Sequence, residues 1–560
     1  MSMRSSIGPL RVRHFRALWV AAVFSNVGSF LQAVAASWAM LELTGSPLWV
    51  GLMAASATLP LLFLALPAGA LADLVDRRRI LLIAQSIMGA AAVAMAVAWY
   101  MDIIGPGLLL GLGLALGVGL ALNQPAWQAM VPDLVPRGMV ADAVALNSVA
   151  FNVARAVGPA LGGIIIVTNG PGLAFALNAV SFIGVIGVVF TFRPAVPDDL
   201  GDESVGNAIA VGLRYARYTP PFRRLLAIAA GFAVTSAVVQ SLLPNITVDA
   251  LGSTASTYGF LLGAMGVGAL VGAFTRSFGL ERLGAAMVPL SIAAFGVAGI
   301  VVGMSRLVPL TALALLIAGL LWVWSLATLN ATVQLMTPQW VRGRAMSLYT
   351  LAFVGFLPLG SIIGGALGNV IGAAEATAVM SVATVVLGLA FTRIGIPALG
   401  EGATSDPPAD WVAQPHAAHM EGGPVMIVNT WVIPHEELAE FLTTMNELRH
   451  VRLRTGAYQW RLYRNAEDPH RMSEFMLLSS WEDHIRQHHR MDAAAVDVIR
   501  RASSFDQSGG PQTRHLVALS VDPGSLPEWD QLLAVHDDLH ASDGSIPLDV
   551  NDPVKAAPRE

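Results

Sequence analysis

Apolar runs of roughly 20 residues, separated by short polar breaks, recur from the N-terminus to residue 395. That is the length an α-helix needs to cross about 30 Å of hydrocarbon at ~1.5 Å per residue. The pattern predicts twelve spans, near 15–41, 48–72, 80–100, 107–130, 142–168, 172–192, 223–247, 257–276, 285–304, 308–334, 345–371 and 374–395. The first is too long for a secretory leader and has eleven successors, so it reads as part of the mature chain.

Past residue 395 the period changes. Residues 396–422, with Pro397, Gly400, Pro407, Pro408 and Pro415, read as a linker. Over 423–521, the segments VMIVNTWVI, HEELAEFLTTMNELRHVR, AYQWRLYR, SEFMLLSSW, EDHIRQHHRM and TRHLVALSV predict strand, helix, strand, strand, helix, strand. That order is ferredoxin-like, an α+β arrangement. Residues 522–560 are acidic with several prolines and read as disordered, apart from a short helix near Trp529 to Leu539.

A chain of 560 residues that is 55% hydrophobic and 13% charged is an all-α integral membrane protein with an appendage. The absence of cysteine excludes disulfides and thiolate metal sites. Arg4, Arg11, Arg13, Arg16, Arg77 to Arg79, Arg137, the 193–224 segment, Arg276, Arg282, Arg342, Arg344 and Arg393 fall on one side when twelve spans alternate. The opposite loops carry Arg306. The positive-inside rule then places both termini and the central loop in the cytoplasm of a multi-pass plasma-membrane protein. Within that loop, Val205 to Tyr218 reads either as an amphipathic helix on the membrane surface or as a solvated linker.

The two halves repeat. Leu122 to Pro132 (LNQPAWQAMVP) matches Leu329 to Pro338 (LNATVQLMTP), and GPALGG from Gly158 is echoed by GSIIGG from Gly360. The expected organisation is a six-helix bundle over 1–192, a central loop over 193–222, a second bundle over 223–395, and a site between the halves.

Arg155 lies in the middle of span five, where a charge is costly and marks a pathway or a moving interface. Gly158 and Pro159 are expected to interrupt that helix, and Gly162 and Gly163 to admit a close neighbour. The expected neighbour is span eight, with Gly259, Gly263, Gly266, Gly268 and Gly272 as its bare ridge.

GALADLVDRRRI, Gly69 to Ile80, resembles the signature loop between helices two and three of the major facilitator superfamily, and Gly158 to Gly163 resembles the fifth-helix motif of its drug and proton antiporters. With LTGS at Leu43 and the VP…RG loop at Val131 to Gly138, the order of elements resembles the transmembrane secretion effector branch, which includes enterobactin exporters. The resemblance implies a latch made by Gly69, Asp73, Arg77 and Arg78. Asp76 stands where the family usually has glycine, and the matching loop from Thr275, TRSFGLERLG, is degenerate. The resemblance also implies a substrate surface on spans one, four, seven and ten. These hold Asn26, Phe30, Gln32, Asn123, Trp127, Gln128, Gln240, Asn245, Trp322, Trp324 and Asn330. Amides and aromatics suit an amphiphilic ligand, although each polar residue has interhelical bonding as its ordinary role.

No Walker sequence is present and the only lysine is Lys555, so transport must use an ion gradient or run downhill. Eleven of twelve histidines lie beyond residue 400 and the other, His14, precedes span one, which excludes a histidine relay. Glu42, Asp142 and Asp249 are the candidate proton-linked groups, although a carboxylate at a span end is more often an interfacial cap. The expected function is proton-driven export of small siderophore-like or drug-like molecules, with Arg155 governing closure. The implied partners are the cargo, the proton gradient and the bilayer; no cofactor or nucleic acid is implied.

The appendage is similar to small dimeric α/β-barrel domains of the antibiotic-biosynthesis monooxygenase type, and Ser479 to Met491 resembles a helix found at the end of many secretion effectors. A regulatory role or self-pairing through 423–521 is expected. His484 and His488 share a helical face with His489 beside them, but neither HExxH nor a third ligand accompanies them, so no metal is expected. Two rival functions stand: a membrane-anchored cofactorless monooxygenase, and an importer or ligand sensor on a transporter scaffold.

Overall fold

The computed structural model describes residues 8–74, 76–130, 134–191, 205–394 and 424–518. The linker at 396–422 and the tail at 522–560 lie outside them.

The chain divides into two compact units. The first comprises Met1–Val205, Arg224–Val333 and Met346–Leu399. Its helices are α1 (Arg13–Thr44), α2 (Pro47–Ser56), α3 (Leu59–Leu74), α4 (Arg77–Tyr100), α5 (Pro106–Met130), α6 (Val140–Asn169) and α7 (Pro171–Thr191). After α8 (Val205–Tyr218), in the other unit, come α9 (Pro220–Ser241), α10 (Ala255–Leu283), α11 (Met287–Met304), α12 (Val308–Met336), α13 (Gln339–Val354), α14 (Leu357–Ile371) and α15 (Ala373–Ile394). Proline opens α2, α5, α7 and α9, where its missing N–H costs nothing and its fixed φ suits the first turn. Gly45 closes α1 at φ 60°, a left-handed conformation that only glycine adopts readily.

Eleven described stretches are long and apolar enough to cross a membrane. One of them, Ala255–Met304, runs 50 residues. At ~1.5 Å per residue it is about two and a half times as long as a bilayer core is thick. It turns at Gly284–Ala286, a 3-10 segment with Gly284 at φ 52°. Added Cβ atoms on Gly268, Gly272 and Gly279 would meet Leu316, Leu320 and Trp324 in that order, so α10 and α12 run parallel.

Proline inside a helix does not always break it. Here α6 runs unbroken through Pro159, against the interruption expected there. Pro159 leaves the Arg155 carbonyl without its helical donor, and that carbonyl lies against Gly266 of α10. The breaks fall elsewhere, at Ala57–Thr58 between α2 and α3 and at Gly355–Phe356 between α13 and α14.

The second unit comprises Gly206–Arg223, Gln334–Ala345 and Gly400–Glu560. Its sheet, in order β2-β3-β1-β4, joins β1 (Val425–Val432), β2 (Gln459–Arg464), β3 (Arg471–Leu478) and β4 (Gln512–Val517) in antiparallel pairs. Helices α16 (Leu438–Thr455), α17 (Trp481–His489) and α18 (Ala493–Ser504) accompany it. Where one helix is expected after β3 there are two, split at Asp492, whose carboxylate caps α18 by accepting from the Ala495 N–H at 2.7 Å. Trp431, Phe441, Met445 and Val496 fill the core on one side of the sheet.

Helix α8 forms as expected, but its apolar face meets protein within this unit. Val211 and Tyr215 are buried, the Tyr215 ring lies 5.5 Å from Phe222 and 6.0 Å from Trp340, and the Tyr218 ring lies 6.3 Å from His450. That replaces both the lipid-surface and the solvated reading of this segment.

Candidate functional site

We term the end of the helical array that carries Arg13 proximal and the opposite end distal. In the distal half the two parts of the chain meet along two glycine-lined seams. In the first, a Cβ on Gly163 would lie 2.6 Å from the Ala255 carbonyl and 3.0 Å from the Gly259 Cα, and one on Gly259 would strike the Pro159 carbonyl. A Cβ on Gly266 would lie 2.6 Å from the Ala156 Cα. Backbones this close leave room for no side chain. Of the five glycines expected to face span five, Gly259, Gly263 and Gly266 do so; Gly268 and Gly272 point to α12, because two residues along a helix is more than half a turn.

In the second seam a Cβ on Gly365 would lie 2.8 Å from the Pro47 carbonyl and 3.1 Å from the Leu48 Cα, and one on Gly51 would lie 2.5 Å from the Ser361 carbonyl. Gly158 meets α1 at Phe30, and its counterpart Gly360 meets α9 at Val234. The repeated motif therefore makes repeated contacts. Ser46 Oγ donates to Asn369 Oδ1 at 2.9 Å at the distal edge, and the Trp38 and Tyr258 rings stack at 6.1 Å.

Arg155 sits beside the first seam, its carbonyl 2.8 Å from where a Cβ on Gly266 would lie. Its guanidinium carbon lies 6.0 Å from the centre of the Trp322 ring, at the limit of cation–π attraction. Trp322 is buried and packed at 5.4 to 5.7 Å against Phe232, Phe295 and Phe353, so it belongs to an aromatic core with one face left for Arg155.

The other expected cavity residues separate. Asn123 accepts from Gln85 Nε2 at 3.0 Å, an interhelical bond. Gln32 accepts from Asn178 and donates to Met95 Sδ at 3.2 Å, and Trp324 Nε1 donates to Thr275 at 3.1 Å. Asn245 is fully buried beside the π-helical turn Ile246–Ala250, with neither amide atom hydrogen-bonded. Asn26, Gln240 and Asn330 are half-buried and Gln128 is exposed. Half-buried Trp127 packs against the proximal core around Phe15, Leu81 and Met130. Phe30 meets Phe151 edge-on at 5.5 Å.

Of the expected latch, Gly69 lies in α3 and Arg77 opens α4, while the Asp73 side chain is outside the described residues. Arg78 is committed within its own half: it donates to the Val189 carbonyl at 3.1 Å and the Phe190 carbonyl at 2.5 Å, with its guanidinium 5.4 Å from the Phe190 ring. Asp76 caps α4, accepting from the Arg78 N–H at 2.9 Å, which explains a carboxylate at this position. The degenerate loop from Thr275 is helical here, part of α10 through Leu283. Glu42 is exposed and accepts from Trp38 Nε1 at 2.7 Å; Asp249 is exposed at the distal end, and Asp142 lies in the first turn of α6, where the helix dipole favours a carboxylate.

In the second unit the histidines gain a neighbour that sequence spacing hides. The His515 ring, from β4, lies 5.0 Å from that of His484, which lies 4.7 Å from that of His488. Among the described residues no group of three or more candidate ligands is arranged to hold a metal ion. Sequence reading also missed Glu474, fully buried on β3, which accepts from Trp460 Nε1 at 2.8 Å and Asn429 Nδ2 at 2.7 Å and pairs with Arg452 at 3.3 Å. Its signal is a carboxylate at an inward position of an alternating strand.

Residues 4–522 match the family model described as transmembrane secretion effector. The chain is similar to the multidrug efflux pump Tap of Mycolicibacterium fortuitum, 28% identical with 66% of this chain and 92% of the relative covered. It is also similar to the staphyloferrin A transporter of Staphylococcus aureus, at 23%, with 65% and 92% covered. The enterobactin exporter EntS of Citrobacter koseri is 23% identical, with 67% and 90% covered. In fold it is similar to the crystal structure of the nucleoside transporter NupG (TM-score 0.55, 13% identity, 68% of this chain and 99% of the other). A bacterial homologue of the lysosomal transporter Spinster, inward-facing and occupied, gives a TM-score of 0.56 at 14% identity, with 69% and 97% covered.

Proposed function

Because the chain belongs to the transmembrane secretion effector family of the major facilitator superfamily, we propose that this multi-pass transporter exports small amphiphilic molecules, siderophore-like or drug-like, by proton antiport. The observation that carries the reading is the pair of matched seams. A repeated motif closes the distal half at two equivalent places, as a rocking machine needs for alternating access. The relatives' names, a multidrug efflux pump and siderophore transporters, support efflux as the direction and amphiphiles as the cargo class.

Several finer readings follow. We count twelve crossings, taking the 50-residue stretch as two because α10 and α12 run parallel. They form six-helix bundles over 1–192 and 223–395, with both termini and the 193–222 loop cytoplasmic, as the arginine bias requires. Gly69, Asp73 and Arg77 act as a proximal latch, which Arg78 supports by tying α4 to α7, and Glu42, Asp142 and Asp249 are the carboxylates available to carry protons. Asn26, Phe30, Asn123, Trp127, Gln128, Gln240, Asn245, Trp322 and Asn330 border the cargo path or stiffen its walls.

We read the 423–521 domain as ferredoxin-like, a reading its strand order supports, and as serving regulation or self-pairing. One sheet face is open, with a concavity of about 480 Å³ lined by Met426, Gln459, Arg461, Tyr463, Ser473, Phe475 and Leu477, and it suits a second copy. The test is uptake into everted vesicles. An interior-acid gradient should drive accumulation of a siderophore or a hydrophobic drug, and a protonophore should abolish it; accumulation only under the reversed gradient would make the chain an importer.

A further inference from the structure

Helix α6 presents three faces. Gly158 and Gly162 lie against α1, and Ala156 and Gly163 against α10. At ~100° per residue these faces are centred about a third of a turn apart, and Arg155 projects between them. Val144, Ser148 and Phe151 lie on the same stripe at helical spacing, and all three are exposed. Exposed Val153, Val157, Leu161 and Ile164 occupy the opposite side, where lipid is expected. The stripe that ends in Arg155 therefore looks into the space between the two halves, below the closed seams.

Among the described residues no carboxylate pairs with Arg155, and its neighbour is the face of Trp322. A guanidinium held in an apolar interior favours an anion, and its planar fork binds carboxylate, phosphate or catecholate oxygens two at a time while stacking on rings. Phe151 stands one turn away on the same side and meets Phe30 of α1 edge-on at 5.5 Å.

We propose that Arg155, Trp322 and Phe151 form the cargo-recognition site, and that the cargo class is an organic anion carrying an aromatic ring. This rests on the export reading. Arg155 fixes the anionic group, and the rings of Trp322 and Phe151 receive the aromatic part. With the cargo absent, Trp322 alone partly compensates the cation.

The test uses the full chain in lipid nanodiscs and three probes of one shape: 1-naphthoate, 1-naphthalenemethanol and 1-naphthylmethylammonium. The expected result is that naphthoate binds at least about tenfold more tightly than the other two. Arg155→Gln should abolish that preference, Arg155→Lys should keep part of it, and Trp322→Leu should weaken all three without changing their order. Equal binding of the three probes, no naphthoate binding, or a preference that survives Arg155→Gln would each overturn the proposal. Gradient-driven export of neutral or cationic drugs without naphthoate binding would leave the export reading intact and remove this one. Naphthoate binding without export would do the reverse.

Discussion

The two seams share a glycine plan and differ in everything around it. On one side α6 and α10 are continuous helices, with a proline and an arginine beside the contact; on the other, α2 and α14 each adjoin a break, at Ala57–Thr58 and Gly355–Phe356, and Leu357 stands where the repeat has Arg155. Gly117 of α5 approaches the first break, where a Cβ would lie 2.5 Å from the Ser56 carbonyl, and the second lies beside Leu62. The repeat thus keeps the packing surface while the surroundings of the two seams differ. The straight seam has a cation beside it, and the broken seam has two non-helical steps next to its helices.

The largest expected effect comes from filling either seam. Gly259→Leu and Gly51→Leu each press a side chain into backbone, and overpacking of ~1–3 kcal/mol confined to one conformation shifts its population about 5- to 150-fold. Transport per inserted molecule should fall by one to two orders of magnitude in both variants. Full activity in one of them would break the equivalence. Next, Arg155→Ala should reduce coupled transport about tenfold or more, whereas Leu357→Ala should stay within about twofold, since only the first removes a charge from the bundle interior. Vesicle uptake with protein quantified by blotting measures both. Smaller still, Pro159→Ala should alter transport by only a few-fold, because α6 is already unbroken there.

The smallest effect lies outside the seams. Burial pushes the Tyr215 phenol up to about 12, with Asp492 acting in the same direction and Arg454 opposing it. An unfolded phenol ionises near pH ~10. The neutral ring therefore stabilises the second unit fully below that value; between pH 10 and 12 the unfolded chain releases a proton that the folded one retains, and stability falls. Tyrosine absorbance and near-ultraviolet circular dichroism should record loosening there above pH ~10, and Tyr215→Phe should remove the dependence.

Apolar run length made most of the membrane array legible, because crossing hydrocarbon demands a long continuous stretch. GPALGG pointed to the first seam, and its echo GSIIGG, which the sequence marks only as a repeat, lies in the second. Spacing does not reveal which neighbour a glycine faces, so Gly268 and Gly272 were assigned to α6 when they serve α12. Nor does a proline announce whether its freed carbonyl finds a tolerable place, as that of Arg155 does against Gly266. Asn123 carries the right chemistry for a cavity but is engaged by Gln85, a contact made across distant sequence. Glu474 and His515 were missed for the same reason, since their partners come from other strands and helices.

The central claim is that the distal contacts must part during each cycle. The chain contains no cysteine, so a Ser46→Cys, Asn369→Cys pair, placed where the native side chains touch at 2.9 Å, can be cross-linked without background. Oxidising that pair in vesicles and measuring uptake before and after reduction tests the claim directly: transport should stop on cross-linking and return on reduction. Uptake at the unmodified rate with the bond fully formed would contradict it.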